Sequence, residues 1–142
     1  MNPLYPSTKI TLHESTISKA GRGVFATVDI QKGETIEVCP VLRISKEDYL
    51  NVKKTILREY YFMFSGDENS AEVVITLGYG SLYNHSYEPN ATYIKKPAED
   101  VIEFAAIKDI KKGEEISVNY NFGNPDDKSK LWIEKIPEYK EK

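Results

Sequence analysis

Short runs in which apolar and polar residues alternate recur along most of the chain, the period-two pattern of strands with one buried face. KITL (9–12), GVFATVDI (23–30) and TIEVCPVL (35–42) predict the first three strands. QKGE, between the second and third, predicts a glycine turn of hairpin type. ISKEDYLNVKKTIL (44–57) predicts the first helix: Ser45 can cap it, Glu47 and Asp48 suit its first turn, and Lys53 and Lys54 fall late, where the helix dipole favours cations. EYYFMF (59–64) reads as extended and aromatic, SGDENS (65–70) as an exposed turn, and EVVITLG (72–78) as a buried strand by its β-branched content. TYIKK and VIEFAAI (101–107), on either side of PAED, predict an antiparallel pair. In the tail, Pro125 and the acidic residues after it predict a short helix over 126–135, stopped by Pro137, with Leu131 and Trp132 on its apolar side.

One pattern occurs twice. VDIQKGETIEV (28–38) and KDIKKGEEISV (108–118) share the form D-I-x-K-G-E-x-I-x-V, a short segment, a glycine turn and an outgoing strand. This reads as an echo of one supersecondary unit and not a solenoid, because two copies 80 residues apart cannot stack as neighbours in an array. The whole predicts a mostly β domain with one mid-chain helix and a C-terminal helix, without an internal linker.

Composition narrows the function classes. The 142 residues fit a single domain, and 40% apolar with 29% charged residues is the balance of a folded chain. Ten tyrosines are a heavy load; buried hydroxyls need partners, so some of these rings are expected to line a half-wet pocket. A formal charge of −3 argues against direct nucleic-acid binding and suits a basic peptide partner. Cys39 is the single cysteine, which excludes an intramolecular disulfide and a cysteine cluster for zinc; it reads as a small buried hydrophobe, and no metal is expected. The N-terminal MNPLYPSTKITLHES has no apolar h-region, and no run approaches the roughly 18 apolar residues of a membrane span. A cytoplasmic protein is expected.

Two stretches carry chemistry. In KAGRGVFA (19–26), Gly21-Arg22-Gly23 is not the dinucleotide G-x-G-x-x-G and precedes a strand instead of opening a helix, so it marks a tight turn or a close ligand approach. SLYNHSYEPNATY (81–93) packs two asparagines, a histidine and three tyrosines together, hydrogen-bonding side chains beside aromatic surface.

Taken in order, Gly21-Arg22-Gly23, Asn84-His85-Ser86-x-x-Pro89-Asn90 and Gly113-Glu114-Glu115-Ile116-x-x-x-Tyr120 resemble the SET-domain protein lysine methyltransferases, over roughly residues 9–123. The resemblance implies a β-clip of short twisted sheets with a C-terminal pseudoknot and a few short helices, the NHS segment threaded through a loop made by the last strand. It implies S-adenosylmethionine as cofactor and, as substrate, a lysine presented by a protein, histone-like or otherwise basic. The backbone of Gly21, Arg22 and Gly23 would receive the methionine end, Asn84 would contact that same end, the His85 backbone would meet the adenine, Tyr79 would lie against the cofactor, and Tyr120 would stand at the point of methyl transfer. Glu114 and Glu115 are open between substrate contacts and exposed residues after a turn.

The chain departs from the family pattern in two places, and at Tyr93 it resembles some monomethylating members. It lacks the Cys-rich zinc segments, so residues 124–142 would serve as a helical lid, with Trp132 against cofactor or channel, or in plain core. Val118 stands where many members carry Phe or Tyr, and Tyr93 follows the NHSxxPN motif; a hydroxyl there would hold water and crowd a second methyl, an expectation of mono- or dimethylation. The alternative is a catalytically inactive SET-like peptide-binding or assembly module. A homodimer is compatible with the sequence, as is a nuclear or chromatin setting if the source is eukaryotic or viral.

Overall fold

The computed structural model describes residues 3–17, 20–65 and 72–131. Among them nine strands form two sheets. The larger contains β3 (Thr35–Ile44) at its centre, flanked by β5 (Glu72–Thr76) and β4 (Phe62–Ser65) on one side and by β8 (Val101–Ala106) and β7 (Ala91–Lys96) on the other. The smaller has the order β1 (Ile10–Glu14), β2 (Arg22–Ala26), β9 (Glu115–Val118), β6 (Asn84–His85). Its last pair is parallel, Asn84 opposite Ser117 and His85 opposite Val118.

The inward residues of both sheets share one core, including Val24, Ile36, Cys39, Ile102, Phe104, Ile116 and Val118. Cys39 is fully buried, and burial pushes its thiol pKa far up, the behaviour of an inert packing residue. The antiparallel pair of β7 and β8 forms as its alternation predicts, around a 3₁₀ turn at Pro97–Glu99.

The repeated segment gives one correction and one addition. QKGE is not a hairpin: β2 pairs with β1 and β9, and β3 with β5 and β8. The two copies also do meet, related by an approximate dyad. Ile30 and Ile110 exchange backbone hydrogen bonds at 2.7 Å each way. The Lys32 amide donates to Asp109 Oδ1 at 2.8 Å and the Lys112 amide to Asp29 Oδ1 at 2.9 Å. Gly33 donates to Ala106 O and Gly113 to Ala26 O, and each returning bond, Ala106 to Glu34 O and Ala26 to Glu114 O, is present too. Each turn closes locally, Glu34 N on Gln31 O and Glu114 N on Lys111 O, but is anchored by the strand that precedes its twin and not by its own flanking strands, which is why a local reading sees a hairpin.

The helix is shorter than expected. α1 spans Lys46–Val52, capped by Ser45 Oγ accepting from the Asp48 amide. Thr55 then starts a separate 3₁₀ turn, Ile56–Glu59, by accepting from the Leu57 amide. The predicted tail helix is absent over 126–131. There Asn and Asp side chains take the backbone amides that a helix would use: Asn124 Oδ1 accepts from Asp126 N and Asp127 Oδ1 from Ser129 N. The rest of that expected helix, with Trp132, lies outside the described residues.

Candidate active site

The site is assembled where β2, β6 and β9 meet. Gly21 adopts φ +76° with open space where a Cβ would be, and its carbonyl accepts from the Ser15 amide, closing the loop that leads into β2. Gly23 is a glycine for another reason: a Cβ there would lie 2.5 Å from Glu115 Oε2 and 3.0 Å from Asn84 Nδ2. The second glycine of the G-x-G thus makes room for the two other motifs of the same chain.

Those motifs are tied together by hydrogen bonds. Asn84 Nδ2 lies 2.9 Å from Arg22 O, 2.9 Å from Glu115 Oε2 and 3.1 Å from Ser15 Oγ. Glu115 also accepts from Ser15 Oγ and from the amide and hydroxyl of Thr16. Burial alone would raise the Glu115 pKa; the donors from Asn84, Ser15 and Thr16 outweigh it and hold the carboxylate below its ordinary value. Glu115 is a half-buried node and not an idle exposed turn residue, whereas Glu114 stays exposed. Asn90, the second asparagine of the motif, clamps β9 like an extra peptide unit, its Nδ2 donating to Glu115 O and its Oδ1 accepting from Ser117 N, both at 2.9 Å.

Tyr120 follows β9. Its backbone amide donates to His85 Nδ1 at 3.0 Å, and its hydroxyl donates to Tyr83 O at 2.5 Å. The residue is 37% exposed, yet the hydroxyl end is buried. Burial first, then the neighbouring Tyr60 and Glu115, push the phenol pKa far up, so it stays protonated. Tyr83 is itself fixed: its ring stacks on Phe104 with centroids 4.3 Å apart, and its hydroxyl donates to the buried Glu37 at 2.9 Å.

A cleft of about 250 Å³ opens here, lined by Ala20, Arg22, Glu59, Tyr60, Ser81, Leu82, Asn84 and Tyr120. Of the residues expected at the site, Arg22, Asn84 and Tyr120 meet in it, and Gly21 and Gly23 flank it. His85 and Tyr79 do not line it. His85 supports Tyr120 and packs edge-on against Tyr87; Tyr79 donates its amide to Glu37 Oε2 and packs on the core. Val118, the last residue of β9, is buried in the core. Tyr93 is also buried, edge-on to Phe62, with burial first and the nearby Tyr120 second raising its phenol pKa.

Motif reading missed the wall opposite Asn84. Glu59 and Tyr60 come from the end of the 3₁₀ turn, and the Tyr60 carbonyl accepts from Ser81 Oγ at 2.8 Å, which joins that wall to the floor. The doubled tyrosine of EYYFMF was the available signal, but it reads as one strand. The tail runs along the other side of the NHS segment, with Tyr87 Oη and Asn121 Nδ2 both donating to Ser129 O.

Two sheets sharing one core, the smaller ending in a parallel β6–β9 pair, with the asparagine and tyrosine motifs meeting at one cleft, define a class of protein that comparison identifies. The SET domain profile matches residues 21–121, and the chain belongs to the SET-domain family. The Schizosaccharomyces pombe histone-lysine N-methyltransferase described as H3 lysine-37 specific is 32% identical over 130 residues, covering 91% of this chain and 81% of that protein. A solved Plasmodium falciparum structure, described as a candidate histone methyltransferase, shares 32% identity at a TM-score of 0.59, covering 80% of this chain and 93% of that one. A Chaetomium thermophilum Polycomb repressive complex 2 structure bound to S-adenosylmethionine superposes at a TM-score of 0.65 with 25% identity; 84% of this chain is covered but 16% of that one.

Proposed function

We propose that the chain is an S-adenosylmethionine-dependent protein-lysine N-methyltransferase. The observation that carries this reading is the convergence of Asn84, Arg22 and Tyr120, from three separate motifs, on one cleft. The donor set fits the methionine end of such a cofactor, which bears an ammonium, a carboxylate and a sulfonium. Asn84, with its amide nitrogen engaged inside the protein, offers an oxygen to the ammonium. Arg22 suits the carboxylate, and the backbone at Gly21 is open to close approach.

When bound, the sulfonium supplies an electrophilic methyl whose displacement leaves a neutral thioether. The chain's own residues have the task of alignment. Tyr120, fixed at its amide by His85 and at its hydroxyl by Tyr83, forms a rigid wall at the place of transfer. Tyr60 and Tyr120 present aromatic faces that attract an ammonium by roughly 0.5–2 kcal/mol. Desolvation of the lysine amine between the Tyr60 and Tyr120 rings would disfavour its protonated form and so favour the nucleophilic amine. With −3 net charge, a basic protein tail is the partner that fits, in line with the histone-directed relatives. We read the parallel β6–β9 pair, with the chain beyond Val118 packed back against β7 at Gly123, as the family's pseudoknot. Tyr93 would limit the product to mono- or dimethyllysine.

The test is incubation with S-adenosylmethionine and purified histones or a basic peptide library, read by mass spectrometry. Methyl additions confined to lysine, and slowed on the order of 10²-fold with Tyr120→Phe, are expected. A folded protein that binds S-adenosylmethionine yet methylates no lysine in any of these substrates would move the reading to a peptide-binding module.

A further inference from the structure

Glu115 stands 100 residues from Ser15 and 31 from Asn84, and its carboxylate joins both. Its two oxygens have separate duties. Oε1 takes the amide and hydroxyl of Thr16, and Oε2 takes Asn84 Nδ2; Ser15 Oγ lies within 2.9 Å of both. Of the other two partners of Asn84 Nδ2, Arg22 O is a carbonyl and Ser15 Oγ a hydroxyl that can donate or accept. A carboxylate and a carbonyl are acceptors only, so they dictate which end of the Asn84 amide faces inward. Turned over, Asn84 would set its oxygen against two oxygens.

We propose that Glu115 is a positioning residue for the cofactor's amino-acid end: it locks the Asn84 amide so that Oδ1, and not the NH₂, faces the cleft. This rests on the S-adenosylmethionine reading above. An outward carbonyl attracts an ammonium; an outward NH₂ repels it. The close approach that Gly23 permits serves this lock, since any side chain there would collide with Glu115 Oε2. Through Thr16 and Ser15 the same carboxylate ties down the loop that enters β2, so cleft and loop share one anchor.

The substitution Glu115→Gln is isosteric and can keep the Thr16 bonds through its oxygen, but it places an NH₂ against Asn84 Nδ2. Calorimetric titration of the full chain with S-adenosylhomocysteine and with methylthioadenosine, which lacks the amino-acid end, separates local positioning from general damage. For Glu115→Gln, S-adenosylhomocysteine should bind about 10- to 100-fold more weakly, the size of a lost hydrogen bond to a charged group, while methylthioadenosine stays within about twofold of wild type. Should Glu115→Gln fail to fold, Glu115→Asp, which withdraws the carboxylate by one methylene, must show the same selectivity. Unchanged S-adenosylhomocysteine affinity, or equal weakening of both ligands, in a folded variant overturns the proposal alone. Failure of the wild type to bind either ligand overturns the parent reading and this one with it.

Discussion

His85 Nδ1 accepts a hydrogen bond from the Tyr120 backbone amide at 3.0 Å. A ring nitrogen that accepts carries no proton, so the imidazole holds its hydrogen on Nε2 and works as a fixed ruler for the chain that follows β9. The histidine of the NHS motif therefore acts through the position of Tyr120 and needs no role as a base.

His85→Ala should leave the Tyr120 amide without its acceptor and strip packing from Tyr87 and Tyr120, whose rings lie 4.4 and 5.2 Å away. A loss of about 1–3 kcal/mol is expected, measured by urea unfolding. A midpoint equal to wild type would contradict the assignment.

Tyr120→Phe removes the hydroxyl that donates to Tyr83 O and keeps the ring. Methyl transfer should fall on the order of 10²-fold, as for other small losses of alignment, while S-adenosylhomocysteine affinity changes little. Parallel loss of both would make Tyr120 a structural residue.

Glycine substitutions should separate by mechanism. Gly33→Ala and Gly113→Ala meet nothing within 4 Å but impose φ near +92° and +91° on a side chain. They should cost about 1–2 kcal/mol, and equally, because they occupy matching places about the dyad. Gly23→Ala instead drives a methyl into Glu115 and Asn84, and should weaken cofactor binding more than the first two. Calorimetry beside thermal melts checks both.

These contrasts show what the sequence could convey. Periodicity located most strands, and Asn84, Arg22 and Tyr120 stood out by motif. Partners of the glycine turns did not, because Gly33 and Gly113 signal a reversal without naming what closes it. Glu115 stayed open between a substrate contact and a turn residue, since its anchors, Ser15 and Thr16, lie some 100 positions away. The tail read as a helix from its acidic start, but Asn124 and Asp127 spend their side chains on the amides a helix needs. Tyr60 was concealed in an aromatic run whose first half turns out of the strand.

Acid should reveal the node. The pKa of Glu115 is lowered in the fold, so its contribution to stability is present above the ordinary value of 4.5 and is lost as pH falls below it. Glu34, through the Gln31 amide and then Lys9, and Glu103, through Lys96 and then Thr35, act in the same direction. The melting temperature should drop below about pH 4.5, and Glu115→Gln should make that limb shallower. An identical limb in the variant would contradict the assignment.

Tyr93→Phe should raise the proportion of higher methylated lysine in a mass-spectrometric time course, since it removes a buried hydroxyl next to Tyr120. An unchanged product distribution would end that account.

Calorimetric titration with S-adenosylmethionine and S-adenosylhomocysteine, run beside Asn84→Ala, tests cofactor binding without knowledge of the substrate. Saturable one-site binding that the folded variant loses is the predicted result. A wild type that is well folded and binds neither would contradict the account and leave the NHS segment a structural edge strand that holds β9 and Tyr120.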